Sequence, residues 1–348
     1  MGRKFKHLTY SDRLTIERML LQNKFSKQDI ADAIGCSLRT IYYEIKRATY
    51  VHTNTDLTTE IRYAPEIAHA NYMEALKAKG RTPKLVRDLE FKKYVETMIV
   101  QYKYSPEAVL LGIKEDGLYF DEMVFSHTTL YTGIKRGYFE NLSMVDLPRH
   151  GKSNKRKKKK VVQKRIAPGT SIEKRDRIVL GRETFGNWEM DSVVGKSTNR
   201  KTALALTERK TRYEIIEVLK SHTADEVAKA LNRIEKRLGA RFYSIFQTIT
   251  VDNGSEFKDF ERLEKAINRV GKRTKVYYCH ARAPQERGSN ENANLLIRRW
   301  LPKGADFDKI LTRDKVKTVE EWINFYPRRL FKGKCSYVLF EKELAKLR

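Results

Sequence analysis

The sequence predicts a multidomain chain, with all-α helix-turn-helix region(s) followed by an α/β domain on a mixed five-stranded sheet. Three observations carry this expectation. The first part of the chain is punctuated by helix-capping signals. The stretch Arg149 to Arg165 then holds ten Lys or Arg and no acid. Beyond it the hydrophobic pattern becomes strands and helices in the order βββαβαβα. The expected boundaries are a helix-turn-helix domain over 1–50, a helical connector over 51–100, a candidate second helix-turn-helix over 101–147, a basic linker over 148–178, and the α/β domain with a C-terminal helical extension over 179–348.

The first helices are read from their caps. Thr9 with Asp12, and Ser26 with Asp29, each fit a capping box ahead of an apolar helical pattern. Gly35 supplies a turn with positive φ, and Ser37 caps a third helix. In that helix Leu38, Ile41 and Ile45 share one face, which leaves Arg39, Thr40, Tyr43, Lys46 and Arg47 outward. A small helical bundle whose last helix carries a basic outer face matches a helix-turn-helix, with those five residues as candidate DNA contacts. A second helical pair is expected from Ser105-Pro106-Glu107, a cap followed by proline at the first helical position, and from Ser126 ahead of Leu130 and Ile134. It reads either as a second DNA-binding unit or as a structural hairpin.

Charge narrows the partner class. The 348 residues include 71 Lys plus Arg against 44 Asp plus Glu, a formal +27. Such an excess suits a polyanion, because each Lys or Arg that neutralises a phosphate releases a counterion. The basic run cannot form a core and reads as a tether that tracks phosphates. With 40% hydrophobic residues, wholesale disorder is excluded. Three scattered cysteines, Cys36, Cys279 and Cys335, fit neither a disulfide framework nor a Cys-x-x-Cys zinc site. No run approaches the apolar length of a membrane span, and the basic start lacks the apolar core of a signal peptide. The expected setting is cytoplasmic, with no membrane partner.

In the α/β part, Trp188–Gly195, Thr202–Glu208 and Tyr213–Leu219 read as consecutive antiparallel strands, Thr223–Arg237 as a helix, and Ile245–Val251 as a fourth strand. A helix over Phe257–Val270, a strand over Lys275–Tyr278 and a helix over Ser289–Trp300 complete the order. Asp191 lies in the first strand, and Asp252 lies just past the C-terminal end of the fourth, where open α/β sheets bind ligands. Glu291, on the last helix, is placed to converge with them. Three carboxylates in a basic chain point to Mg2+, which takes one or two carboxylates plus waters and phosphate oxygens, and two such ions clamp an in-line phosphoryl displacement. Mn2+ is an expected substitute. Asn294 and Arg298 share the Glu291 helix face and are candidate contacts to the DNA strand under attack.

These residues resemble the insertion sequence thirty family of bacterial transposases, which carry an Asp-Asp-Glu triad. The resemblance rests on Gly186-Asn187-Trp188-Glu189-Met190-Asp191, on Asp252-Asn253-Gly254-Ser255-Glu256-Phe257, and on Glu286-Arg287-Gly288-Ser289-Asn290-Glu291-Asn292 followed by Arg298-Arg299-Trp300-Leu301-Pro302-Lys303-Gly304. Arg62-Tyr63-Ala64-Pro65, Tyr104-Ser105-Pro106-Glu107 and Leu147-Pro148-Arg149 extend it over nearly the whole chain. It implies a ribonuclease-H-like domain of the retroviral-integrase type, with Asp191, Asp252 and Glu291 as the metal-binding triad. It also implies an N-terminal domain that binds the terminal inverted repeats, strand cleavage followed by 3′-hydroxyl transfer into target DNA, a homodimer or higher oligomer on DNA, and association with the bacterial nucleoid. The alternative is a non-catalytic DNA-binding regulator that uses the same fold for assembly. The chain departs from the family pattern in a longer gap between the second and third acids, expected to be absorbed around Asn268 to Thr274, and in Leu295 where Gly is common. The Gly333-Lys334-Cys335-Ser336 stretch is also looser than the family motif.

Two acids rival the triad. Glu189 shares a strand face with Asp191, roughly 6.6 Å away, and Glu286 stands as the alternative third acid. Glu208 and Glu256 are expected to be surface or supporting acids. The seven histidines show no zinc spacing, and His280 is expected to be structural.

Overall fold

The computed structural model describes residues 7–77, 83–149, 169–280 and 284–347. It divides into two units, Met1–Thr82 and Pro83–Arg348. The division falls inside the 51–100 segment expected to be a connector.

The first unit opens with α1 (Tyr10–Leu21), α2 (Lys27–Ile34) and α3 (Leu38–Arg47). Thr9 and Ser26 cap α1 and α2 through full capping boxes with Asp12 and Asp29, and Gly35 takes φ 74 in the turn before α3. Ile16, Ile30, Ile41 and Ala68 form the shared core. A buried ion pair joins α1 to α3, Arg13 Nε to Glu44 Oε1 at 2.5 Å. The segment after α3 departs from the helical expectation. A hairpin of β1 (Thr49–Thr53) and β2 (Thr59–Tyr63) precedes α4 (Pro65–Lys77). Its turn runs through Leu57 at φ 65, where a glycine would have announced it.

The second unit begins with α5 (Lys84–Arg87), α6 (Leu89–Val100), α7 (Pro106–Glu115) and α8 (His127–Lys135), packed around Phe91, Val95, Ile99, Val109, Leu130 and Ile134. Ser105 caps α7 as expected. At α8 the Ser126 hydroxyl makes no cap to the helix backbone and meets the Thr128 hydroxyl at 2.6 Å instead. The candidate second DNA-binding pair is also tied into the rest of the unit: the Ser105 backbone N–H donates to the Tyr326 hydroxyl at 3.2 Å. Of the expected basic tether, residues 150–168 lie outside the described residues.

The sheet has six strands where five were expected. After a two-residue β3 (Thr170–Ser171) come β4 (Asn187–Val194), β5 (Thr202–Glu208), β6 (Glu214–Leu219), β7 (Thr248–Val251) and β8 (Lys275–Tyr278), in the spatial order β3-β8-β7-β4-β5-β6. The extra strand comes from the segment assigned to the linker, where Thr170 and Ser171 pair in parallel with Tyr277 and Tyr278. β4, β5 and β6 form an antiparallel meander, and β7 and β8 run parallel to β4, so β4 lies inside the sheet with a strand on each side.

Alternation along the strands sorts the two faces. Met190, Leu204 and Leu206 join Val227, Leu231 and Ile234 of α9 (Ala224–Leu238) in one core. Val193, Ala203 and Ala205 face the other way, into a core with Leu296 and Ile297 of α12 (Gly288–Trp300) and Val319 and Ile323 of α14 (Arg313–Phe325). Small side chains at Ala203 and Ala205 let α12 approach the sheet closely. The remaining helices are α10 (Phe242–Ile245), α11 (Phe260–Glu264), α13 (Phe307–Ile310) and α15 (Ser336–Ala345).

The helix expected over Phe257–Val270 is reduced to α11. Glu235 of α9 captures the Ile267 and Asn268 backbone N–H groups, and Arg273 is buried in an ion pair with Glu235 at 3.2 Å. These contacts hold 265–274 as a loop, with Lys265 bridged to Lys272. Among the described residues no helix is long and apolar enough to cross a membrane.

Candidate active site

β4 carries both the first acid and the residue that fixes the helix beside it. Glu189 is fully buried, and its Oε2 accepts from the Ser289 and Asn290 backbone N–H groups, each at 3.0 Å. Those donors belong to the first turn of α12, where backbone N–H groups lack helical partners and the helix dipole favours a negative charge. The other oxygen of Glu189 pairs with Arg209 Nε at 3.1 Å. Thus Glu189, a rival metal ligand by sequence, has both oxygens committed to structure. A second tie runs from Asn290, whose side-chain amide meets the Thr207 hydroxyl at 2.6 Å, to Glu214, which accepts from that hydroxyl at 3.1 Å. Burial pushes the Glu214 carboxyl well above the usual carboxylate range.

Two residues beyond Glu189 on the same strand face, Asp191 meets α12. Its Oδ2 accepts from Asn294 Nδ2 at 2.8 Å, and its Oδ1 lies 3.2 Å from Arg287 Nη1. Asp252 follows β7, where its Oδ1 accepts from the Gly254 N–H at 2.9 Å. A Cβ at Gly254 would stand 2.5 Å from Glu256 Oε2 and 2.9 Å from Asp252 Oδ1, so a side chain there would displace both carboxylates. Asp252 Oδ2 lies 2.9 Å from Arg287 Nη2. One guanidinium therefore bridges the two aspartates. Burial alone would lower the Arg287 pKa, but the charges of Asp191 and Asp252 outweigh it and hold the group above its ordinary value.

Glu291 is exposed on α12 and lines a cavity of about 300 Å3 with Asp191, Arg287, Asn294 and Arg298. Asp252 is not among the residues that line this cavity and is linked to it through Arg287, and among the described residues no group of three His, Cys, Asp or Glu side chains stands close enough to hold a metal. The donor set nonetheless fits a divalent ion, since Asp191 and Asp252 already aim at one shared cationic group and Mg2+ needs only one or two carboxylates besides water and phosphate oxygens. Glu286 turns to a different cavity. It accepts from the His280 backbone N–H at 2.9 Å and lies 2.8 Å from His280 Nδ1, and Glu173 lies 3.0 Å from His280 Nε2. These hydrogen bonds raise the His280 pKa.

The expected DNA contacts divide. On α3, Arg39, Tyr43 and Lys46 are exposed, with Arg39 Nη2 donating to the Tyr43 hydroxyl at 3.0 Å, while Thr40 meets Ser37 at 2.9 Å. Arg47 is partly spent on Glu44, at 3.0 Å. Tyr42, 53% exposed, belongs to the same surface and carried no charge signal. Near the triad, Asn294 is engaged with Asp191 instead of facing outward, and Arg298 Nη1 donates to the Val194 carbonyl at 2.8 Å while its side chain lines the Glu291 cavity. Glu208 and Glu256, expected as surface or supporting acids, are both buried, which excludes the surface alternative. Glu208 accepts from the Gly186, Lys210 and Thr211 N–H groups, and Glu256 pairs with His222. The bridging position of Arg287 has no signal in the sequence, because a charged residue ahead of a helix does not show in one dimension which way it points.

A family described as "Helix-turn-helix domain" matches residues 4–48. The chain is 30% identical over 330 residues to the transposase for insertion sequence element IS4351 of Bacteroides fragilis, covering 93% of this chain and 92% of that protein. It is 28% identical over 347 residues to transposase InsI for insertion sequence element IS30A of Escherichia coli (strain K12), covering 97% and 84%. With a probable transposase for insertion-like sequence element IS1161 of Streptococcus salivarius it shares 36% over 222 residues, 64% of this chain and 60% of that one. A crystal structure of the catalytic core domain of BIV integrase overlaps 47% of this chain and all of its own, at 18% identity and a TM-score of 0.35, too slight a likeness to argue from. Similarity to transposases along almost its whole length, joined to a helix-turn-helix and a meander-led mixed sheet, places the chain in the insertion sequence thirty family of transposases.

Proposed function

We propose that this transposase cuts and joins DNA with Asp191, Asp252 and Glu291 as the acids that hold Mg2+. Two ions are expected, with Mn2+ able to substitute. The observation that carries the reading is the convergence of Asp191 and Asp252 on one cationic group, beside a cavity that Glu291 also lines. Bound there, the metal would neutralise charge on the phosphate and lower the pKa of an attacking water or hydroxyl. The chain's own residues do the positioning. Asn294 fixes the Asp191 carboxylate, the Gly254 N–H fixes that of Asp252, and Glu189 sets the helix from which Glu291 projects. Arg298 lies on the cavity wall, where a DNA phosphate would meet it. Glu286 is disfavoured as third acid because His280 occupies its carboxylate on the far side of the turn.

The reaction is hydrolysis of a phosphodiester at the element end, followed by attack of the freed 3′-hydroxyl on target DNA. The exposed Arg39, Tyr43 and Lys46 of α3, with Thr40 and Arg47 at their edge, bind the terminal inverted repeats. Two ends must be handled together, so the working form is a homodimer or higher oligomer, at the bacterial nucleoid. The test is cleavage of an element-end duplex with Mg2+. Asp191→Asn, Asp252→Asn and Glu291→Gln are each expected to lower the rate at least about a hundredfold while end binding persists, and Glu286→Gln is expected to stay within about tenfold of wild type. Equal cutting by wild type and Asp252→Asn would refute the assignment, and a loss confined to Glu286→Gln would exchange the third acid.

A further inference from the structure

On the other side of the Glu286–Gly288 turn from Glu291 lies a cavity of about 750 Å3 walled by Arg175, Arg177, Arg182 and Arg209. We infer that it is a phosphate-binding pocket which grips the backbone of the DNA strand next to the bond being cut. The inference rests on the reading of the chain as a DNA-cutting enzyme and adds a site to it.

The cluster lacks enough negative charge of its own. Arg175 and Arg209 are 5% and 3% exposed, and Arg175 Nε and Arg209 Nη1 are buried without a hydrogen-bond partner. Glu189 supplies one counter-charge to Arg209. The two acids at the rim, Glu173 and Glu286, are both engaged by His280, at 3.0 and 2.8 Å. Burial drives the Arg209 pKa down to about 10, with Glu189 opposing and Arg175, Arg182 and Arg212 adding like-charge repulsion. Guanidinium groups do not escape such crowding by losing protons, so an anion is the remaining relief. Their forked N–H donors match phosphate oxygens.

Position selects the source. Arg209 is joined through Glu189 to the strand that bears Asp191, and Arg182 Nη2 lies 3.1 Å from where a Cβ of Gly288 would stand, at the start of the helix that bears Glu291. Glu286 and Arg287 are adjacent residues, the first in this cavity and the second between the aspartates. A strand whose phosphate reaches the acids therefore has a neighbouring phosphate within reach of the arginines.

Phosphate-ethylation interference on an element-end duplex, with full-length protein and no divalent metal, tests this. Wild type is expected to lose binding when one of the one or two phosphates beside the cleaved bond is ethylated. Arg182→Ala is expected to abolish that interference and leave the rest of the footprint unchanged. Arg177→Ala, at an exposed residue that the fold tolerates losing, should do the same and lower the salt-dependence slope by about 0.9. An unchanged footprint in both variants overturns the inference. So does inorganic phosphate binding that is lost in Arg182→Ala with no interference near the cut, which would assign the pocket to free phosphate. Because the footprint is read without metal, failure of the pocket and failure of Mg2+-dependent cleavage are separate results.

Discussion

Replacing Glu189 tests whether a buried carboxylate holds α12 to the sheet. In Glu189→Ala, the Ser289 and Asn290 N–H groups each lose a charged acceptor at 3.0 Å, and Arg209, 3% exposed, loses its counter-charge. Hydrogen bonds to a charged group contribute about 1.5–3 kcal/mol each, and breaking one partner out of a buried ion pair costs about 3–5 kcal/mol. These terms overlap, so the expected loss is roughly 3–5 kcal/mol, or about 10 °C in Tm for a unit of this size. Glu189→Gln keeps a neutral acceptor but no charge, and should lose about half as much. Urea unfolding followed by tryptophan fluorescence isolates the effect, because Trp188, Trp300 and Trp322 all lie in the second unit. A loss below about 1 kcal/mol in Glu189→Ala would refute the reasoning. Equal losses in the two variants would assign the effect to Arg209 alone and remove the helix anchor from the account.

Two further outcomes are expected. Burial raises the Glu320 carboxyl to about 7, against an opposing backbone hydrogen bond from Ile216 and the charge of Arg237. The folded state thus holds a proton that the unfolded chain releases near pH 4.5, and stability falls as pH rises from there through 7. Relative to Glu320→Gln, wild type should lose on the order of 3 kcal/mol across that window in the same fluorescence assay, and parallel pH profiles would contradict the burial argument. In the first unit, Glu44 accepts from Arg13, Arg47 and Tyr63. Glu44→Ala should cost about 3–5 kcal/mol, read as lost hydrogen-exchange protection across α1 and α3, and unchanged protection would count against the buried pair as their link.

Local chemistry was legible in the sequence wherever it is self-contained. The caps at Thr9, Ser26 and Ser105 and the strands through Asp191 and up to Asp252 depend on near neighbours, and the structure has them in place. What escaped depends on distant partners. The hairpin after α3 turns at Leu57, whose residue type does not announce a positive φ although Asn54 and Asp56 beside it are turn formers. The apolar spacing from Phe257 to Val270 looks helical, yet Glu235 from another helix takes the backbone donors at Ile267 and Asn268. At the candidate site the acids themselves could be named, whereas the bridging of Arg287 and the turning away of Glu286 belong to side-chain directions set by folding.

The placement of Glu189 and Asp191 on one face of β4 also bears on motion. Both residues reach the same helix, one at its first turn and one at Asn294. Displacement of the strand therefore carries the helix with it, and the offset between Asp191 and Glu291 is insulated from the breathing of the surrounding sheet. Asp252, on a turn beyond a neighbouring strand, joins that mount through Arg287, the residue that precedes the helix. On the proposed reading, its nearest side-chain link to the other two acids is that single guanidinium.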